Sequence, residues 1–219
     1  MDREIDHAEA LLAGLLERRS VSPKRLCAPG PGLDKLDLIL QAALRAPDHG
    51  ALQPWRVIEF RADERDALAN CLEQEKLRRD PLASDKDLQR AREHALRPPV
   101  LLGFVVMPRE RCKVPLREQW LAAGAALGNL LNAAHLLGFG AIMLSGERCF
   151  DTVLLRQLRV QPHESLAGFI SIGSIAQAAP PARPVLPAQV WSCWIPELPP
   201  SSAAPAQENH DADGGHPGT

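Results

Sequence analysis

The chain has no tyrosine, and aromatic residues make up only 4% of its 219 positions. Proteins that grip single-stranded nucleic acid rely on aromatic stacking platforms, which are scarce here. An excess of either charge is missing too: 25 Lys and Arg stand against 27 Asp and Glu, a net charge of -2. That balance gives no global attraction for nucleic acid or an anionic membrane, so any bound phosphate must meet a local cluster of cations. The five cysteines (Cys27, Cys71, Cys112, Cys149 and Cys193) contain no C-x-x-C pair, which spells neither a zinc knuckle nor a thioredoxin-type site. Odd in number and evenly scattered, they suit a reducing compartment better than a disulfide scaffold. Acids at positions 2, 4 and 6 stand where an export signal carries positive charge, so a cytoplasmic location is expected. Also absent are G-x-S-x-G, H-E-x-x-H and G-K-[ST]. The seven histidines show no ligand spacing, and no metal centre is expected. Lacking a nucleophile, base or metal of its own, the sequence needs a cofactor to carry any reaction.

What is present is a 45% hydrophobic chain, enough for one domain with a sizeable core. Ala8, Leu11, Leu12, Leu15 and Leu16 recur at helical spacing. A second helix follows a Pro/Gly loop, with Asp34 as its expected N-cap, and stops at Pro47. Trp55–Arg61 alternates as a strand, and two charge-rich helices follow, the second opened by Ser84 with Asp87. Val100–Met107 and Leu166–Ile175 read as buried strands, with a short strand at Ala141–Ser145. From Gln119 to Gly146 no residue is formally charged, and Gly124 with Gly128 forms G-x-x-x-G. A membrane span is disfavoured by Asn129, Asn132, His135 and the Gly138–Gly140 break. A buried central helix over Leu116–Leu137, apolar nearly all round and closed by Gly138, is expected instead. The order of elements predicts an α+β domain around a central sheet of about four strands. Nine of the 20 prolines follow Ala179. Val185–Ile195 therefore reads as an extended arm carrying Trp191 and Trp194, and residues 197–219 as a disordered Pro/Ser/Ala/Gly-rich tail.

Two polar segments stand out. Arg18-Arg19-Ser20 closes the first helix, where cations offset the helix dipole but two guanidinium forks and a hydroxyl also suit a phosphate. Arg45-Ala46-Pro47-Asp48-His49, then Gln53-Pro54-Trp55, forms a proline-stiffened loop leading into a strand. Together with Lys113-Val114-Pro115, Glu118-Gln119 and Gly138-Phe139-Gly140 before Ser145-Gly146, these segments resemble the FMN-dependent nitroreductase family. The likeness is greatest to its small YdjA-type branch and runs from about Ala8 to Ile195.

The resemblance implies a nitroreductase-like α+β fold over residues 1–196, with a mostly antiparallel sheet flanked by helices. It implies a homodimer with FMN held between subunits and NAD(P)H as co-substrate, reducing a small nitro- or quinone-like acceptor. Arg18, Arg19 and Ser20 would hold the flavin's phosphate and ribityl end, with Arg45 and His49 reaching it from the partner subunit. Met143, Leu144 and Ser145 would line the cofactor, and Ala133, Ala134, His135, Leu136, Leu137 and Gly138 would touch the nicotinamide nucleotide. The branch typically has Trp-Arg-Ser-Gly where this chain has Met143-Leu144-Ser145-Gly146, so one cation is missing unless Arg148 or another replaces it. A lost charged hydrogen bond is worth about 1.5–3 kcal/mol. The alternatives are a flavin-binding protein of the same fold with little turnover, and a helical interaction protein.

Overall fold

A computed structural model of the chain describes residues 2–110, 112–182 and 185–195, with side chains from residue 8 onward. The helices are α1 (Asp2–Glu17), α2 (Leu33–Ala43), α3 (Arg65–Arg79), α4 (Asp85–Leu96), α5 (Leu116–Leu136) and α6 (Thr152–Gln157). The strands are β1 (Leu26–Cys27), β2 (Trp55–Phe60), β3 (Val100–Val106), β4 (Gly140–Leu144) and β5 (Ser165–Ile175).

The apolar run of β5 is central. It pairs with β3 from Val100↔Ile172 to Val106↔Ser165, and with β4 from Gly140↔Gly173 to Leu144↔Phe169. β2 adds to the outer edge of β3, and β1 pairs with Ser174 and Ile175 at the end of β5. Every strand pairing is antiparallel, in a sheet of five strands where about four were expected. The extra strand is β1, two residues long and so too short to show a period of two.

Because side chains alternate across a strand, one run of apolar residues supplies two cores. Leu102, Phe104, Ile170 and Ile172 pack with Leu36 and Ile39 of α2 and Ala126 and Leu130 of α5. Leu101, Val105 and Phe169 pack on the other face with Leu68 and Leu72 of α3, Ala95 of α4 and Leu154 of α6. Each large side chain enclosed this way contributes about 1.5–3 kcal/mol. The result is three layers with the sheet in the middle.

Helix ends follow local chemistry, with one correction. The first helical bonds of α2 start from Gly32, whose carbonyl accepts from Leu36 N at 2.9 Å, not from Asp34. Leu33 is already helical, so Asp34 lies inside the first turn, where its charge still opposes the helix dipole. Ser84 does cap α4: its Oγ accepts from Asp87 N at 3.3 Å. Gly138, at φ +85°, ends α5 in a Schellman motif. There Phe139 N donates to Ala134 O and Gly138 N to His135 O, both at 2.9 Å.

The expectation that α5 is buried all round fails within one chain. Gln119, Ala122, Ala123, Ala126, Leu130 and Ala134 form a single buried stripe. On the other side Trp120 is 44% exposed and Leu121 71%, and a Cβ added at Gly124 or Gly128 would meet nothing within 4 Å. The leucines of α1 are exposed as well, up to 77% at Leu16, although Gly14 lets that helix pass close to Leu136. Among the described residues no helix is long and apolar enough to cross a membrane.

The chain divides into one unit through Pro181 and a short second unit from Ala182. The described part of the second, residue 182 and residues 185–195, holds a single 3-10 turn at Pro187–Gln189. Residues 197–219, expected as a tail, lie outside the described residues.

Candidate functional site

The first polar segment is set against β4 by backbone bonding. Ser20 forms an isolated parallel bridge with Ala141, and Val21 N donates to Ala141 O at 3.1 Å. This lays Arg18-Arg19-Ser20 beside the strand that ends in Met143, Leu144 and Ser145. Arg19 Nη1 donates to Leu16 O at 3.0 Å and Arg18 O at 2.8 Å, capping the open carbonyls of α1. The capping role and the phosphate role therefore compete for the same guanidinium. Ser20 and Ser145 are exposed, whereas Met143 and Leu144 are half-buried. Gly168 on β5 lets the strands close here, since a Cβ on it would stand 2.8 Å from Leu144 O. Gly146 follows at φ +131° with open space where a side chain would be.

The second segment ends α2 and enters β2. Arg45 lines a cavity of about 460 Å³ with Asp48, Gln53 and Trp55, and none of Arg18–Ser20 or Met143–Ser145 lines it. The loop is tied back onto its own domain at three points. His49 Nδ1 lies 2.7 Å from Glu118 Oε2 in the first turn of α5. Asp48 Oδ2 accepts from Gln53 N at 2.6 Å, and Leu52 O accepts from Arg109 Nη2 at 3.0 Å. These bonds hold Ala51 at φ +48° and Gln53 at φ +45°, a conformation that side chains with a Cβ rarely adopt.

The third group follows the last turn of α5. Ala134 is fully enclosed in the core, and Ala133 and Leu137 pack against it. His135 is half-buried, while Leu136 and Gly138 are exposed. Only the outer part of this stretch can meet a ligand through its side chains.

Two residues with structural influence on the site were not singled out as site residues. Gln119 is 1% exposed and spends its whole amide on the segment before α5. Its Oε1 accepts from Arg109 N at 2.8 Å, and its Nε2 donates to Arg109 O and Val114 O, both at 3.0 Å, and to Cys112 Sγ at 3.3 Å. Glu118, next to it, holds His49. Arg148, weighed as a substitute for the missing cation, follows β4 in the turn Glu147–Phe150. Burial lowers its pKa, Glu75 raises it, and its buried Nη1 has no partner. The turn that carries it packs against α3. Among the described residues no cluster of His, Cys, Asp and Glu could hold a metal ion.

Residues 15–174 match the nitroreductase family. The chain belongs to that family. Among its relatives is YdjA of Escherichia coli strain K12, provisionally named an NAD(P)H nitroreductase. It is 33% identical over 160 residues, 73% of this chain and 85% of YdjA. A Haemophilus influenzae protein, provisionally named in the same way, is 32% identical over 154 residues, 70% of this chain and 83% of that protein. A Desulfovibrio desulfuricans structure, described as a provisional nitroreductase in complex with FMN, superposes with a TM-score of 0.64 at 27% identity. It covers 85% of this chain and 98% of its own. The nitroreductase-like protein of Bacillus cereus shares the fold at a TM-score of 0.71 and 18% identity, covering 84% of this chain and 95% of its own. Family membership makes the chain an oxidoreductase and fits the three-layer antiparallel architecture.

Proposed function

We propose that this protein is an FMN-dependent oxidoreductase, working as a homodimer, that uses NAD(P)H to reduce nitro- or quinone-like acceptors. The observation that carries the reading is the placement of Arg18-Arg19-Ser20 against β4 by the Ser20–Ala141 bridge. Cations and a hydroxyl thereby stand beside Met143–Ser145, within a family whose relatives include an FMN complex. The residues fit such a group. A phosphate needs cationic donors, which Arg18 and Arg19 supply, and a ribityl chain needs hydroxyl and backbone partners of the kind Ser20 and Ser145 offer. The open space at Gly146 leaves room for a flat ring system along the end of β4.

When bound, the flavin accepts two electrons as a hydride from the nicotinamide and returns them to a second substrate. The chain's part is to bind and orient. Arg18 and Ser20 fix the phosphate end, and Arg19 joins them by leaving Leu16 O. Glu118 orients His49, whose Nε2 is then the ring nitrogen left to meet a ligand. Arg45 lines a cavity without any residue of the first segment, which favours a site completed by a second chain. The open apolar face of α5, from Leu116 through Trp120 and Leu121 to Leu136, supports the same assembly. The five free cysteines suit a cytoplasmic enzyme.

The test is an absorbance spectrum of purified protein before and after NADPH or NADH, with the released chromophore identified by chromatography. FMN that bleaches on addition is expected. FMN that does not bleach would favour a flavin-binding module with little turnover, and recovery of FAD, or of no flavin after reconstitution, would refute the reading.

A further inference from the structure

Four buried polar atoms on the α3/α4 side of the sheet have no hydrogen-bond partner among the described residues. They are Glu75 Oε2 on α3, His94 Nε2 on α4, Arg148 Nη1 in the turn after β4, and Ser171 Oγ on β5. Glu75 is 1% exposed and Ser171 0%, so bulk solvent reaches neither side chain. The four groups come from elements that pack together. Ser171 shares a face of β5 with Phe169, which meets the His94 ring edge to face at a centroid distance of 5.3 Å. Leu68, Leu72 and Glu75 follow one another at helical spacing on α3, and both leucines pack in the same core as Phe169. The turn that carries Arg148 packs against α3 and β5. Arg148 is close enough for its charge to act on His94, and Glu75 for its charge to act on Arg148.

The chemistry of the four groups narrows what can join them. Glu75 Oε1 already accepts from Arg79 Nε at 2.7 Å, which leaves Oε2 as the bare acceptor. A buried group left without a partner costs about 1–3 kcal/mol, and more when it is charged. An anion would suit Arg148 but face the Glu75 carboxylate. A cation would suit Glu75 but face Arg148 and Arg79. Water donates to the carboxylate and accepts from the guanidinium, and a buried water typically makes about three hydrogen bonds. Ser171 Oγ and the Nε2 of a neutral His94 can serve as its further partners. We propose that bound water joins Glu75 Oε2, Arg148 Nη1, His94 Nε2 and Ser171 Oγ in one internal network. It ties α3, α4 and β5 to the turn that follows Met143, Leu144 and Ser145. His94 also lines, with Leu144, a cleft of about 540 Å³ between α4 and the turn Pro23–Arg25, so the network reaches one wall of that cleft. It needs no flavin to form.

The experiment is a high-resolution crystal structure of the full chain as purified, with a second crystal soaked in bromide. Water within hydrogen-bond distance of Glu75 Oε2 and Arg148 Nη1, with Ser171 Oγ or His94 Nε2 as a further partner, is the expected result. Direct pairing of Glu75 Oε2 with Arg148 Nη1, with no water between them, overturns the network. An anomalous bromide peak among the four groups overturns it too, because the occupant is then an anion. In solution, oxygen-17 relaxation dispersion counts long-lived internal waters. Ser171→Val puts a methyl group where the hydroxyl stood and should lose at least one such water relative to wild type. An unchanged count in the folded variant overturns the network. Should that variant fail to fold, the wild-type crystals decide on their own.

Discussion

Replacing Gln119 should loosen the site without touching it. Its side chain satisfies three backbone groups, the N–H and C=O of Arg109 and the C=O of Val114, from a position that is 1% exposed. Leucine keeps the volume but removes every bond. A buried polar group left without a partner costs about 1–3 kcal/mol. Arg109 lies at the surface, where water can replace part of the loss, but Val114 is buried. A net loss of about 2–3 kcal/mol follows for Gln119→Leu, which for a domain of this size lowers the melting temperature by about 5–10 °C. Gln119→Glu separates the hydrogen bonds from packing. It retains the acceptor for Arg109 N but sets a carboxylate against two carbonyls, so it should melt lower still. The measurement is thermal denaturation followed by circular dichroism. Because the same clamp fixes the start of α5, where Glu118 holds His49, flavin affinity should fall with it. A Gln119→Leu protein that melts with the wild type would refute the reasoning.

Three further outcomes are expected. Burial, reinforced by the charge of Arg148, lowers the pKa of His94 from 6.5 to about 4, so the unfolded chain takes up the proton first. Stability from this group is complete above pH 6.5 and lost as the pH falls toward 4, on the order of 3 kcal/mol. His94→Leu should flatten that part of a pH–stability profile, and an unchanged slope would exclude the histidine as its source. Leu121→Asp, on the open face of α5, should shift sedimentation from dimer to monomer while helical content persists; a wild type already monomeric with flavin bound would contradict the assembly. Mixing Arg19→Ala with an Arg45→Ala/His49→Ala variant should restore up to about a quarter of wild-type sites if subunits exchange freely and sites act independently. No rescue in confirmed heterodimers would place both segments in one chain's site.

How much of this was legible depends on the range of the interaction that fixes each feature. The strands Val100–Val106 and Ser165–Ile175 are apolar along their length and could be read directly, as could the Gly138 stop of α5, because both signals are local. The pairing of His49 with Glu118 joins residues 69 positions apart, and no periodicity encodes it. Gln119 was equally opaque, since a glutamine in a helix's first turn looks the same whether solvated or spent on three backbone groups. The leucine replacing an expected cation was visible at once, but the answer to it was not. Arg148, the nearest candidate in sequence, sits in a turn packed against α3, and the cations that share a cleft with Leu144 come from residues 24 to 97.

The long helix shows the same limit most sharply. Composition states how much apolar surface α5 carries but not which chain covers it. One stripe, Ala122 through Ala134, meets the sheet and α2, and that half follows from helical spacing once the core is known. The other half, with Trp120, Leu121, Gly124 and Gly128, is left open by the described residues of its own chain. Among the described residues no helix is long and apolar enough to cross a membrane, so an open face that carries no charge after Glu118 supports the proposed second copy as its cover. In the proposed homodimer the glycines would set how closely that copy approaches, and because Leu136 at the end of α5 lies against Gly14 of α1, the contact would fall next to the segment that carries Arg18, Arg19 and Ser20.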